Sequence, residues 1–366
     1  MDQALSPSPH VAVASAHFEL LDDLRDLFAV DRMTTSPDRK QPALLFHGRL
    51  LVDAELALDR LEPRFASRGY TPMIRREKEG QVLIAAPGVI GGGRTRLWLH
   101  LVLALATIFT TCLAGAMLAG VNVLRDPAGI LIGVPFSLTL MAILTAHEMG
   151  HYFMGKWHGV QVSLPYFIPV PFSLGTFGAF IQMRSPIRNR RELFDVGFAG
   201  PIVGFVVALA LMIVGLLLAD ALRAFRSYGP PLGDSLLTSL LTNLLRPQDA
   251  ATILSRNPIA LASYFGILLT GVNLLPAGQL DGGHIAYALF GRSSRPLALL
   301  TVVVLFIMGL LFWNGWFLWA GLIFLTGLRH PTPLNDVTSV DRGRWLIALG
   351  ALAIFILTFI PRPLIE

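Results

Sequence analysis

Charge is scarce in this chain. Only 14% of its 366 residues are charged, against about 25% in soluble domains, which counts against an ordinary soluble enzyme. Cysteine is nearly missing. Cys112 is the only one, so an intramolecular disulfide and a cysteine-based zinc site are both excluded. The opening MDQALSPSPH has no basic cluster leading into an apolar core, so it does not read as a secretory signal peptide. No transit peptide or internal repeat is evident either. What the chain has in quantity is apolar residues: 54% are hydrophobic and the mean hydropathy is +0.61. That balance excludes a disordered chain and points to a membrane protein. The formal charge of +5 is read as membrane topology, with no nucleic-acid partner, because Lys and Arg gather in cytoplasmic loops.

Residues 1–96 hold many charges and no long apolar run. Segments 1–14 and 33–41, rich in Ser, Pro, Thr and Asp, read as loose. Between them Phe18, Leu20, Leu21, Leu24, Leu27 and Phe28 recur at helical spacing and predict an amphipathic helix. These features make 1–42 a flexible segment. Residues 43–96 then predict a small soluble α+β domain. Leu44 to Phe46 read as a strand. Asp53 caps a helix that ends near Gly69, with Pro63 inside it. Met73 to Arg76 and Val82 to Ala86 read as strands joined at Glu79-Gly80.

From Leu97 the chain carries about seven apolar stretches, over 97–121, 130–155, 194–219, 259–275, 296–312, 315–328 and 344–361. Several reach the ~20 residues needed to cross a bilayer core. The fifth and sixth are short, and read either as tilted spans or as a re-entrant pair joined at Trp313-Asn314-Gly315. Trp313, Trp316 and Trp319 suit an interfacial belt. Loop 156–193 holds Lys156, Arg184, Arg188, Arg190 and Arg191 against one acid, Glu192; Arg94 and Arg96 end the head; Arg329, Arg342 and Arg344 follow the sixth stretch. With seven spans all three regions share one side, which the positive-inside rule makes cytoplasmic. The opposite loop, 220–258, holds Arg223, Arg226, Arg246 and Arg256, and its leucines from Leu236 to Leu245 predict an amphipathic helix on the membrane surface. Val160 to Ile181 alternates apolar residues with prolines and then a glycine turn, which predicts a membrane-associated β-hairpin.

One constellation carries chemistry. The second stretch reads Thr145-Ala146-His147-Glu148-Met149-Gly150-His151. Two histidines at i and i+4 share a helix face and can bind one zinc ion, with Glu148 beside it to take a proton from the attacking water. A His-acid-x-x-His pattern arises by chance about 0.01 times in such a composition. Burying these groups in an apolar span is costly, so a structural role is the weaker reading. Zinc needs a third protein ligand. Asp281 is the leading candidate, in NLLPAGQLDGGH (273–284), where Pro276 and Gly278 break the span. His284 is the rival, and a solvated turn acid is the bland alternative for Asp281. Asn273 is read either as an oxyanion donor or as an interhelical hydrogen bond.

His147-Glu148-x-x-His151 in one span and Asn273-x-x-Pro276-x-x-x-Leu280-Asp281-Gly282-Gly283 in a later one resemble the site-2 protease family of intramembrane zinc metalloproteases. VQVSLPYFIPVPFSLGTFG (160–178), Ala199-Gly200-Pro201 and His330-Pro331-Thr332-Pro333 are similar to its branch of plastid "ethylene-dependent gravitropism-deficient and yellow-green" proteases and bacterial relatives. The resemblance covers most of 43–345. It implies a zinc site of His147, His151 and Asp281, Glu148 as general base and Asn273 near the scissile carbonyl. Substrates would be transmembrane proteins in the lipid bilayer, and 97–361 would be the transmembrane protease domain. Gly204 stands where some relatives carry Asn, so Gly200 and Gly204 are read as a GxxxG helix contact. The expected fold is an all-α polytopic membrane protein of about seven transmembrane helices with a hairpin and a small α+β head, in a bacterial plasma membrane with head and active site facing the cytoplasm. A non-proteolytic zinc-binding transporter or chaperone is the alternative, although no row of further ligands runs through the spans. A metallohydrolase acting on a lipid or small amide is a third.

Overall fold

The computed structural model describes residues 19–36, 43–77, 80–89, 96–219, 231–250, 252–328 and 330–365. Phe18, the segment 37–41, Glu79, Arg94, Arg223, Arg226 and Arg329, which the sequence reading used, lie outside them. The chain divides into two compact units, one formed by 1–92 with 185–191 and 332–339, the other by 93–184, 192–331 and 340–366.

The first unit is an antiparallel sheet with a helix. Its strands are β1 (Phe28–Thr35), β2 (Leu44–Leu50), β3 (Tyr70–Glu77) and β4 (Gly80–Pro87), in the order β1-β2-β4-β3. Helix α1 (Ala54–Ser67) starts where expected: the Asp53 carboxylate accepts from the Glu55 amide at 2.8 Å. Pro63 stays inside it. Strand β1 is one more than the sequence predicted. Leu20, Leu24, Leu27 and Phe28 are buried in one core with Phe46, Leu58, Phe65 and Leu83, but only 19–24 are helical. From Phe28 the chain pairs with β2 across a bulge between Val30 and Arg32, a long-range choice that local helical spacing cannot foresee. Segment 332–339 joins the sheet beside β3. Ile74 donates to the Leu334 carbonyl at 2.7 Å and accepts from the Asp336 amide at 3.0 Å, and Leu334 is buried in the same core. The buried Arg75 guanidinium donates to the carbonyls of Pro333 and Leu334 and to the Thr332 hydroxyl, at 2.5, 2.9 and 2.6 Å.

The second unit is helical. It contains α2 (Leu97–Leu118), α3 (Val134–Trp157), the hairpin β5 (Tyr166–Pro169) and β6 (Thr176–Phe180), α4 (Arg190–Leu217, its first two residues counted with the other unit), α5 (Leu236–Leu245), α6 (Pro258–Asn273), α7 (Asp281–Phe290), α8 (Ser294–Leu311), α9 (Gly315–Thr326) and α10 (Arg342–Thr358). Four helical stretches are long and apolar enough to cross a membrane: Leu97–Leu118, Pro127–Trp157, Arg190–Leu217 and Asp281–Leu311. They make this an integral membrane protein. Helices α3, α4 and α6 share a core of Phe136, Leu140, Ile143, Met212 and Tyr264. Close packing here depends on small residues, since a Cβ on Gly215 would lie 2.6 Å from the Ala260 nitrogen. Trp316 departs from the interfacial role. It is fully buried among α6, α8 and α9, and its indole N–H donates to the Pro361 carbonyl at 2.8 Å. A satisfied N–H lets the ring leave the interface. Helix α5 forms as expected, opened by a Ser235–Thr238 capping box, with Leu236, Leu240 and Leu244 exposed.

Candidate metal centre

Helix α3 carries His147, Glu148 and His151, all buried, and α7 begins with the buried Asp281. Asp281 reaches the histidines because the chain turns back after α6. Pro276 and Gly278 (φ +57°) break the helix. Gly282 then lies so close to the end of α6 that an added Cβ would stand 2.1 Å from the Leu274 oxygen. The two histidine Nε2 atoms are 3.1 Å apart. Asp281 Oδ2 lies 3.1 Å from His147 Nε2 and Oδ1 lies 3.2 Å from His151 Nε2. The three residues can hold a metal ion, and no other such group is found among the described residues. Asn273, the last residue of α6, brings its amide nitrogen to 3.4 Å from His147 Nε2.

The hydrogen bonding shows what this cluster requires. His151 Nδ1 is 2.7 Å from the Val196 carbonyl oxygen, which can only accept, so Nδ1 carries a proton. In a neutral ring the Nε2 lone pair then faces the Asp281 carboxylate and His147. The His147 Nε2 and both Asp281 oxygens face the same spot, a donor set that attracts a cation. A carbonyl that fixes the far nitrogen is also the usual support of a metal-bound histidine. Two nitrogens and one oxygen, with a fourth position left open, fit zinc. The Ile181 backbone, directly after β6, lies beside the Glu148 carboxylate. The hairpin strand therefore ends at the proposed base.

Helix α4 closes over the cluster with glycines on one face. A Cβ on Gly200 would fall 2.0 Å from His151 Nε2, one on Gly204 3.0 Å from His147 Nδ1, and one on Gly197 2.7 Å from the His284 Cβ. The Gly200–Gly204 helix contact is present, and its neighbours are the imidazoles themselves. His284 turns to His330 and leaves the trio to Asp281. Sequence reading missed the Val196 carbonyl and the Ile181 backbone, which carry no residue-type signal. It also missed Gly197, which the spacing 197, 200, 204 would have flagged.

Residues 135–313 match the model of Peptidase family M50. The chain is 30% identical over 242 residues to the probable zinc metalloprotease EGY2, chloroplastic, of Arabidopsis thaliana, covering 63% of this chain and 42% of that protein. It is 28% identical over 386 residues to the EGY2 protein of Oryza sativa subsp. japonica, covering 99% of this chain and 69% of the relative. With the probable zinc metalloprotease EGY1 of Arabidopsis thaliana the identity is 32% over 235 residues, 62% of this chain and 43% of that one. The chain thus spans less than half of the two Arabidopsis relatives. No solved structure matches it. The segment that matches Peptidase family M50 encloses His147, Glu148, His151, Asn273 and Asp281.

Proposed function

We propose that this chain is an intramembrane zinc metalloprotease that hydrolyses peptide bonds within or near transmembrane segments of membrane proteins. The observation that carries the proposal is the convergence of His147, His151 and Asp281 beside a buried Glu148 in the apolar helices. His147, His151 and Asp281 would hold the zinc, which when bound polarises a carbonyl and makes water acidic enough to attack near neutral pH. Glu148 takes the proton of the attacking water and returns it to the leaving amine. The Asn273 amide is near enough to donate to the developing oxyanion. A helix hides its carbonyls, so the substrate must unwind first. β6 leads to Ile181 and Glu148, and an extended substrate added beside this strand would carry its carbonyls past the base.

Seven spans is our proposed count: the four long helical stretches with the shorter α6, α9 and α10. Support for the orientation comes from the first unit. Segments 185–191 and 332–339 fold with the head, and one compact unit stands on one side of a bilayer. These basic loops make that side cytoplasmic. A bacterial plasma membrane is our proposed location; the relatives' names say chloroplastic, and cell fractionation decides between them. Residues 43–96 are proposed as the soluble domain that presents substrates or regulators.

The deciding experiment replaces Glu148 by Gln in the full chain. Zinc content is expected to stay at the wild-type level while cleavage of a reconstituted single-span substrate stops. Retained cleavage removes Glu148 as base. A wild-type chain that binds zinc but cleaves no membrane substrate favours the transporter or chaperone reading.

A further inference from the structure

Asp281 opens α7 without a side-chain cap, because Leu280 at the N-cap offers none. Its aim at the histidines therefore depends on what holds the rest of that helix. His284 and Tyr287 follow at three-residue steps and lie on adjoining positions of one face. Both meet His330. His284 Nδ1 hydrogen-bonds His330 Nε2, and the Tyr287 ring stacks on the His330 ring, with centroids 4.7 Å apart and planes at 23°. On the other side of His284, the Gly197 backbone approaches so closely that an added Cβ would lie 2.7 Å from the His284 Cβ.

The proton positions in this pair follow from one further contact. His330 Nδ1 lies 2.6 Å from the Pro331 carbonyl oxygen, so it is the donor there. Burial holds the ring neutral at ordinary pH, pushing its pKa down to about 3. A neutral ring with a proton on Nδ1 has a bare Nε2, so His284 Nδ1 must be the donor between the two. His330 is thus preset as an acceptor for the helix that starts with Asp281.

We propose that His330 is a positioning residue: by accepting the His284 Nδ1–H and stacking on Tyr287, it fixes the rotation of α7 and so the direction in which the Asp281 carboxylate faces His147 and His151. The inference rests on the reading of that trio as the zinc site. It gives the His330-Pro331-Thr332-Pro333 motif a task that the catalytic residues alone leave unexplained.

The test uses the full chain purified in detergent, with zinc affinity measured by competition with a chelator and cleavage of a single-span substrate measured alongside. H330Q places an amide oxygen where Nε2 accepts and is expected to stay within about twofold of wild type. H330F keeps a stacking ring but loses the acceptor. It is expected to weaken zinc about 10- to 100-fold, the usual cost of removing a ligand's supporting contact, and to lower kcat with KM nearly unchanged. H284N retains a donor near the Nδ1 position and is expected to behave like H330Q, and all three variants should keep the wild-type Tm. Wild-type zinc affinity in H330F overturns the proposal, as does equal loss in H330Q and H330F. A second zinc per chain that disappears in H330F also overturns it, because the pair would then be a metal site itself. If the wild-type chain takes up no zinc, the reading of the trio falls and this proposal falls with it; if only the H330F result fails, the trio stands.

Discussion

In the first unit the large apolar side chains point inward: Leu24, Leu27, Phe46 and Phe65 have no exposed surface. On α2 and α8 they point outward: Leu101, Leu105, Phe109, Leu300 and Leu310 are all more than half exposed. The same residue types serve opposite faces because the two units face different solvents. In water an exposed leucine is tolerated and a buried one stabilises. In lipid an apolar exterior costs nothing, and the buried polar groups mark the chemistry. Polar burial differs in the same way. Arg75 is buried to bind the segment 332–334 to β3, whereas His147, His151, Glu148 and Asp281 are buried together at one point.

The sharpest way to break this contrast is through glycine. Gly200 in α4 has the His151 Nε2 where its Cβ would be, at 2.0 Å, so Gly200→Ala is expected to abolish zinc binding, measured as metal content after purification. Gly69, after α1, has φ +77° and nothing within 4 Å of an added Cβ. Gly69→Ala meets only backbone strain, about 1–2 kcal/mol, seen as a lower unfolding midpoint with zinc content unchanged. Equal effects at the two sites would erase the distinction.

Between these extremes lies Leu334→Ala. Leu334 is 3% exposed in the core of the first unit, and truncation is expected to destabilise that unit by about 2–5 kcal/mol, measured as protease susceptibility of 43–87. Next come two exposed leucines that test the solvents directly. Leu105→Arg near the middle of α2 is expected to oppose membrane insertion by about 2.5–3.5 kcal/mol, read in a translocation assay. Leu56→Arg on α1, also exposed, is expected to change stability by less than about 0.5 kcal/mol. The smallest expected effect is Arg188→Ala. It removes partly exposed contacts to Asp59 and Glu62, and costs at most about 1 kcal/mol in the thermal unfolding of the first unit.

The sequence disclosed what is local. The Asp53 cap, the paired strands around Ile74 and Leu83, the hairpin and the histidine spacing all follow from short-range rules. So does the break at Pro276 and Gly278 that lets Asp281 begin a helix. What stayed hidden is non-local. Strand β1 was masked by a helical rhythm that stops at Leu24. Trp316 looked interfacial because nothing nearby announces the Pro361 carbonyl that accepts its N–H. The Val196 carbonyl that sets the His151 proton is an atom every residue type carries, so only the folded backbone distinguishes it.

The three-part make-up of the first unit sets an order of synthesis. Ile74 and Arg75 are made before α2, yet the stretch that covers them, 332–339, is made only after α9. Until it emerges, β3 is paired on one side only, with β4, and Leu334 is missing from the interior. The head is therefore completed only after most of the apolar helices have been translated. A chain cut before Thr332 would therefore keep β1 to β4 but leave Ile74 and Arg75 without the carbonyls and amide that 332–339 supplies.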